Sequence, residues 1–577
     1  MNDLKFAFRQ LTRNPGFTAV VVLTLGICLG ANLTIFAVID AVLLRPLPFP
    51  KSDRLVTMFN IYPKAGVERG GASLPNYYER RGRIPAFSDV AILRQDTAIV
   101  GDAGATKEEA VMRISAEFFH TLGIGPELGR AFTDQEMTYQ TDGVAILTDS
   151  YWRHQFNADP DILGRKVRVD GLEKMIVGVL PPGFRFLSSK AQLYFPLSSD
   201  LRARGVNQRH SNQDYVMIGR LRPGISLVAA QSQIDADNAA HAAEYPDPKM
   251  IAEAGFRTVV AGLQADHVRS VRPTLLLLQG GVLLLLLIGG VNLVNLILIR
   301  SSSRARELAV RLSLGAGRRH IVKQVMTETV LLTSTGGLFG LAVGSGGIRL
   351  LTVLGVRELP LGAQVAFDGH LALVAMLAAV IAGLVIGSPI AFFNLRSRPA
   401  TTLQSETRSG TASHTTQRLR HIFIVAQVAL AFILLTGGGL LSLSLKHVMT
   451  IYAGFPSDHV LTCRIALPWK GYQDWPSRLA FIGRLLEGVR SQPGVSAAGV
   501  INNVPFSGDN GESAFWVKGY VRKPGEALQA HYFYGVAGDV FTALGVSLRA
   551  GRFLGSTDSD RKVCVVDEDF ARRYWPQ

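Results

Sequence analysis

The sequence has little cysteine and lacks the short signatures of catalytic chemistry. Cys28, Cys463 and Cys564 are its three cysteines. They form no CxxC pair and no cluster with histidine, so neither a zinc site nor a disulfide framework is encoded. Cys28 lies in an apolar run, which leaves Cys463 with Cys564 as one conceivable bridge, although lone cysteines more often stay unpaired. No GxxxxGK[ST] loop is present to cradle nucleotide phosphates, and the polar regions show no GxSxG or HExxH. His120, His154 and His210 are scattered, and Ser73 and Asp149 have no identifiable partner, so each reads as a surface or satisfied core residue. These absences argue against a membrane-anchored ectoenzyme. No enzyme activity, metal or cofactor is expected.

Charge is also scarce, at 18% of residues, and nearly half the chain is hydrophobic. The apolar residues concentrate in uncharged runs of the length that a bilayer requires, about 20 residues. Spans are expected at 17–44, 273–299, 329–348, 371–395 and 421–445. The first could be a cleaved signal, but it is too long for a signal core and no small-x-small cleavage site follows it. Within the spans, Gly26 with Gly30, and Gly336 with Gly340 and Gly344, recur at the spacing that lets helix backbones approach closely. Asn292 and Asn295, three apart in the second span, are expected to bond to a neighbouring helix. Pro389 marks a kink in the fourth.

The net charge is +15, and its placement decides its meaning. Residues 1–16, 300–324 and 396–420 carry +2, +6 and +4, together +12, and each flanks an apolar run. This is the bias that orients spans in a membrane, with the basic loops inside, and not a nucleic-acid surface. It places the amphipathic start 1–16, the loop 300–328 and the linker 396–420 in the cytoplasm. It places 45–272, the short loop 349–370 and 446–577 outside.

The polar region 45–272 mixes strand-like runs with helical ones. Strands are expected at Arg54–Phe59, Ala110–Ile114, Val144–Leu147, Lys166–Val169 and Lys174–Val179. Helices are expected at Leu74–Arg81, Glu117–Leu122, Ser150–Phe156 and from Leu227 to about Glu244. Mixed elements of this kind imply an α+β domain. The chain also repeats itself. Phe119, Leu122-Gly123 and Gly129-Arg130 recur as Phe541, Leu544-Gly545 and Gly551-Arg552, and Val144–Phe156 matches Val563–Trp575 in hydrophobic pattern. The region after the fifth span therefore reads as a second copy of the region after the first, and this copy stops at Gln577, which implies an incomplete second half.

The most informative stretch runs from Arg300 to Glu328. Ala305, Leu308, Ala309 and Leu312 share a helical face, Glu307 is spaced to pair with Arg304 and Arg311, and Gly315 with Gly317 ends the helix. The spacing alone is consistent with a docking helix or with a basic loop that only sets topology.

One span, a large outside domain and three further spans is the layout of the FtsX-like and MacB-like ABC transporter permeases, and several stretches resemble that family. The loop RARELAVRLSLGAGRRHIVKQVMTETVLL resembles its permease signature, with Glu307, Arg311, Gly315 and Ala316 at the matching positions. RNPGFT, LRPLPFP, FFHTLGIGPELGRAF, VGVLPPGFRF at 177–186 and GRLRPGISLVAAQ at 219–231 resemble the MacB-like periplasmic core. The doubling resembles the acidobacterial-type duplicated permeases, from which this chain departs by its shortened second half. The resemblance implies an α-helical membrane protein with α+β periplasmic domains in a bacterial inner membrane. It implies a separate cytoplasmic ATP-binding subunit docked through Arg304, Glu307, Leu308, Arg311, Leu312, Gly315 and Ala316. It implies mechanotransmission, in which ATP-driven motion inside rearranges the outside domains to export or extract an envelope substrate. The alternative is a non-transporting scaffold or signal transducer that regulates an envelope partner such as a cell-wall hydrolase.

Overall fold

A computed structural model describes the chain apart from residues 1–8, 10, 11, 13, 103, 211–213, 246, 304–317, 354–364, 366, 397–413, 452, 453, 457, 469, 470, 507–510, 524, 527, 559, 560 and 577. The chain folds as two units. One comprises Met1–Arg45 and His267–Ile451, the other Pro46–Asp266 and Tyr452–Gln577.

The first unit is built from five helices long and apolar enough to cross a membrane. The first span is Pro15–Ile39, with Pro15 where its missing N–H costs nothing, and it ends in a wider π turn, Asp40–Leu44. The second is Arg272–Ser303, the third Arg318–Val353, the fourth Gly369–Arg396 with Pro389 inside it, and the fifth His414–Thr450. All extend beyond the uncharged runs, because a helix continues past the apolar boundary where backbone hydrogen bonding still favours it. The expected loop 300–328 is therefore helical at both described ends. Val21, Leu25, Leu29, Leu293, Val294, Leu298, Leu332, Ala379, Ile386 and Ile390 form the buried seam between the first four spans. The apolar stretch of the fifth span buries none of its residues.

In the second unit, residues 46–266 form one mixed sheet with helices packed on it. Its strands are β1 (Leu55–Tyr62), β2 (Val67–Gly70), β3 (Phe87–Val100), β4 (Lys107–Ile114), β5 (Leu128–Gly129), β6 (Val144–Leu147), β7 (Lys166–Val169), β8 (Leu172–Val179), β9 (Leu193–Pro196), β10 (Val216–Leu221) and β11 (Arg257–Gly262). The order is β11-β1-β10-β3-β4-β9-β6-β8-β5, with β2 beside β1 and β7 bridging β3 and β8. Among the described strands, β4 with β9 and β6 with β8 are the parallel pairs. The sequence-based reading missed β2, β3, β5, β9, β10 and β11. β3 joins two cores, since Phe87–Leu93 pairs with β10 and Leu93–Val100 with β4. The first core packs helices Leu74–Arg80 and Leu227–Ala240 on one half of the sheet, around Tyr77, Phe87, Ile92, Met217 and Ile234. The second gathers Val111, Leu147, Tyr151, Ile176 and Phe195 against helix Asp149–Phe156.

Residues after the fifth span form helices Trp475–Arg490, Val540–Ala543 and Glu568–Tyr574. Two short antiparallel pairs accompany them, Gly499–Ile501 with Val536–Gly538 and Glu512–Ala514 with Ala530–Tyr532. Cys463 and Cys564 are exposed and unbridged.

Candidate functional sites

All seven residues assigned to docking, Arg304, Glu307, Leu308, Arg311, Leu312, Gly315 and Ala316, lie outside the described residues. The two helices that lead into and out of that stretch are described, and so is the packing that fixes them.

The third span meets the first along a line of glycines. A side chain at Gly336 would come within 2.9 Å of Leu25 Cβ, one at Gly340 within 3.1 Å of Leu29 Cβ, and one at Gly344 within 2.8 Å of Leu33 Cδ2. Gly26 and Gly30 on the first span meet Phe339 and Val343 in the same way. The absence of Cβ atoms brings the two backbones together, where dispersion and weak polar contacts act over a long surface. The third span packs against the fourth by the same means, with Gly383 beside Thr333 and Val330, and Gly387 beside Met326.

Polar atoms tie the second span to the first. Asn32 donates its side-chain amide to the Val282 carbonyl at 2.7 Å, and Gln279 donates to Asn32 Oδ1 at 3.2 Å. These are the interhelical bonds that the sequence-based reading assigned to Asn292 and Asn295. Asn295 Oδ1 is instead enclosed without a hydrogen-bond partner among the described residues. Helical phase explains the exchange: Asn32 lies on the face turned to the second span, a fact that spacing within one helix cannot reveal.

At the end of the first span, the π turn is closed by the Arg45 N–H donating to the Asp40 carbonyl at 2.8 Å. The Arg45 guanidinium donates Nε to Asp40 Oδ2 at 2.8 Å and Nη2 to Asp368 Oδ2 at 2.5 Å. Asp368 in turn caps the fourth span, accepting the Leu371 N–H at 2.9 Å. That backbone N–H, and then Arg45, hold the Asp368 carboxyl below its ordinary range.

The two polar regions, one after the first span and one after the fifth, contain the same local device. In the first, Arg130 donates Nη1 and Nη2 to Glu136 at 3.1 and 2.7 Å and Nη1 to the Ala131 carbonyl at 3.0 Å, while Glu136 also accepts the Thr133 N–H. In the second, Arg552 donates to Asp558 at 2.6 and 2.7 Å and to the Phe553 carbonyl at 3.0 Å, while Asp558 accepts the Gly555 N–H. Gly129 and Gly551 precede the two arginines with φ of 79° and 82°, a conformation that favours glycine. Gly123 and Gly545 likewise end the short helices before them with φ of 70° and 62°. Arg153 pairs with Asp149, and Arg572 with Glu568, one turn along the matching helices.

Residues that might have marked an enzyme have structural partners. Ser73 caps helix Leu74–Arg80 in a reciprocal box with Asn76, and Asp149 holds Arg153. His120 meets Asp89 at 2.6 Å, His154 meets the Ser150 carbonyl, and His210 meets the Tyr62 hydroxyl at 2.7 Å. Burial pushes the His210 imidazole down to about 4, helped by Arg209 and Arg80. Among the described residues, no group of three or more metal-ligating side chains is found.

Comparison with known proteins covers both units. The MacB-like periplasmic core domain matches residues 18–237, and the FtsX-like permease C-terminal domain matches residues 280–398. The uncharacterized ABC transporter permease YknZ of Bacillus subtilis (strain 168) is 28% identical over 286 residues, 48% of this chain and 66% of that protein. The macrolide export ATP-binding/permease protein MacB 2 of Aeromonas hydrophila subsp. hydrophila is 25% identical over 242 residues, 41% of this chain and 35% of that protein. The aligned stretches thus span less than two thirds of either relative. Among solved structures, the periplasmic region of MacB from Actinobacillus actinomycetemcomitans aligns with a TM-score of 0.27 at 14% identity, over 38% of this chain and 94% of that one.

Proposed function

We propose, for a chain that belongs to the FtsX-like, MacB-like family of ABC transporter permeases, that it passes motion between a cytoplasmic ATP-binding subunit and its outside domains. The observation that carries this reading is an insertion. The folded domain 46–266 leaves the first span at Arg45 and returns to the second at His267, and those two spans are joined by Asn32 and Gln279. Any shift between these spans therefore reaches both ends of one domain. The third span, locked to the first by glycine contacts, leads back toward the stretch that carries Glu307 and Arg311. In this reading Arg304, Glu307, Leu308, Arg311, Leu312, Gly315 and Ala316 form the helix that seats on the ATP-binding subunit. The N-terminus and the basic loops face the cytoplasm of a bacterial inner membrane.

The paired forks Arg130–Glu136 and Arg552–Asp558 support descent of the two outside regions from one duplicated unit. The work done is the export or extraction of an envelope substrate, powered by ATP hydrolysis in the separate subunit. A photo-crosslinking residue at Leu308 tests the docking. It is expected to capture the ATP-binding subunit in intact membranes, and the same residue at Leu373, exposed on the fourth span, is expected not to. Equal capture at both positions, or none at Leu308, contradicts the reading.

A further inference from the structure

The end of the first span departs from α geometry at one place, and the same place carries the bridging arginine. Asp40–Leu44 is a π turn, closed by the Arg45 N–H on the Asp40 carbonyl five residues back. Such wide turns carry one residue more per hydrogen-bonded loop than an α turn and recur at functional sites. Arg45 is also the last residue of the membrane unit, and Pro46, which follows it, cannot extend the helix. Asp40 is 5% exposed, two residues from Val38 and Val42 of a small apolar cluster with Val268, and Arg45 Nε meets its buried Oδ2 at 2.8 Å. Asp368 is the second carboxylate on the same guanidinium and caps the first turn of the fourth span.

We infer that Asp40, Arg45 and Asp368 form a clamp that holds the π turn of the first span and fastens it to the head of the fourth, so that the two span ends move as one. The planar guanidinium suits this role because it presents separate donors to two carboxylates, which a lysine ammonium on a flexible stem cannot reproduce. Releasing the clamp lets the turn relax toward α geometry. A one-residue change of register rotates the chain beyond it by about 100° and moves it by about 1.5 Å. The inference draws its use from the permease reading, since it supplies a discrete step at the junction that leads into the outside domain.

Hydrogen exchange on the full chain in lipid nanodiscs tests the clamp without any ATP-binding subunit, so it stands or falls separately from the docking. Asp368→Asn keeps a side-chain oxygen to cap the fourth span and removes only the charge facing Arg45. The amides of residues 41–45 are expected to exchange about fivefold faster, the factor that corresponds to the upper range of an exposed charge pair. Arg45→Lys is expected to give the same acceleration. Unchanged exchange at 41–45 in both variants, or a change confined to 369–372 in Asp368→Asn, overturns the inference.

Discussion

Arg552 holds both carboxylate oxygens of Asp558, at 2.6 and 2.7 Å, as Arg130 holds those of Glu136. In each case the acid also receives a backbone N–H three residues before it, so one fork fixes a whole loop. The bidentate geometry belongs to arginine. Arg552→Lys and Arg130→Lys are each expected to expose their loop to limited proteolysis, although charge is conserved. The Arg552 hydrogen bond, followed by the Gly555 N–H, keeps the Asp558 carboxyl well below the usual carboxylate range. Its contribution is therefore complete above the unfolded value, about 4, and declines as pH falls below it. Cleavage of the 551–561 loop is expected to stay constant from neutral pH to about 4 and to rise only in stronger acid.

The glycine seam gives a contrast inside one helix. Leucine at Gly340 must displace Leu29 and the Gly26 backbone, both a little over 3 Å from the new Cβ. Gly340→Leu is expected to cost about 1–3 kcal/mol, as overpacking does. Gly346, with nothing within 4 Å, is expected to accept alanine without loss. Thermal unfolding in detergent should separate the two variants.

Arg80 is 1% exposed and bonds to Asn238 at 2.8 Å, Thr258 at 3.0 Å and Asp237 at 3.3 Å. Thr258 passes the network to Asn60, and Asn60 to Asn76. Arg80→Met takes the guanidinium from the largely buried Asp237 carboxylate and leaves it only His241, at 3.5 Å, a loss of about 3 kcal/mol. The double variant Arg80→Met, Asp237→Asn is expected to recover part of that loss. Urea unfolding followed by intrinsic fluorescence checks both.

His210 sets a pH dependence of opposite origin to that of Asp558. The folded domain keeps it neutral down to about 4, while the unfolded chain protonates it near its ordinary value. Stability is therefore full above about pH 6.5, falls as pH drops from there, and levels off below about 4, a total on the order of 3 kcal/mol. His210→Gln is expected to flatten that part of the stability profile.

The sequence made the spans legible because lipid tolerates few charges, and a missing charge needs no partner to be recognised. Val144–Leu147 and Lys166–Val169 were legible to the residue as strands, since turn residues bound both. Leu193–Pro196 was not. All four of its residues are buried, and its pairing with β4 and β6 depends on chain far away in sequence. The same distance hid the Arg45–Asp368 contact and moved the interhelical bonds from Asn292 and Asn295 to Asn32 and Gln279. Local pattern reveals that a face is polar or small. It does not reveal which neighbour the face meets.

Purification of the tagged chain from its own membranes, followed by assay of the complex for ATP hydrolysis, tests the central claim most directly. The account predicts that an ATP-binding subunit accompanies the chain and that Glu307→Lys or Arg311→Glu removes both the subunit and the hydrolysis, while Gly346→Ala removes neither. Full recovery of subunit and hydrolysis with the charge-reversed variants, or their absence from the unaltered chain, would contradict it.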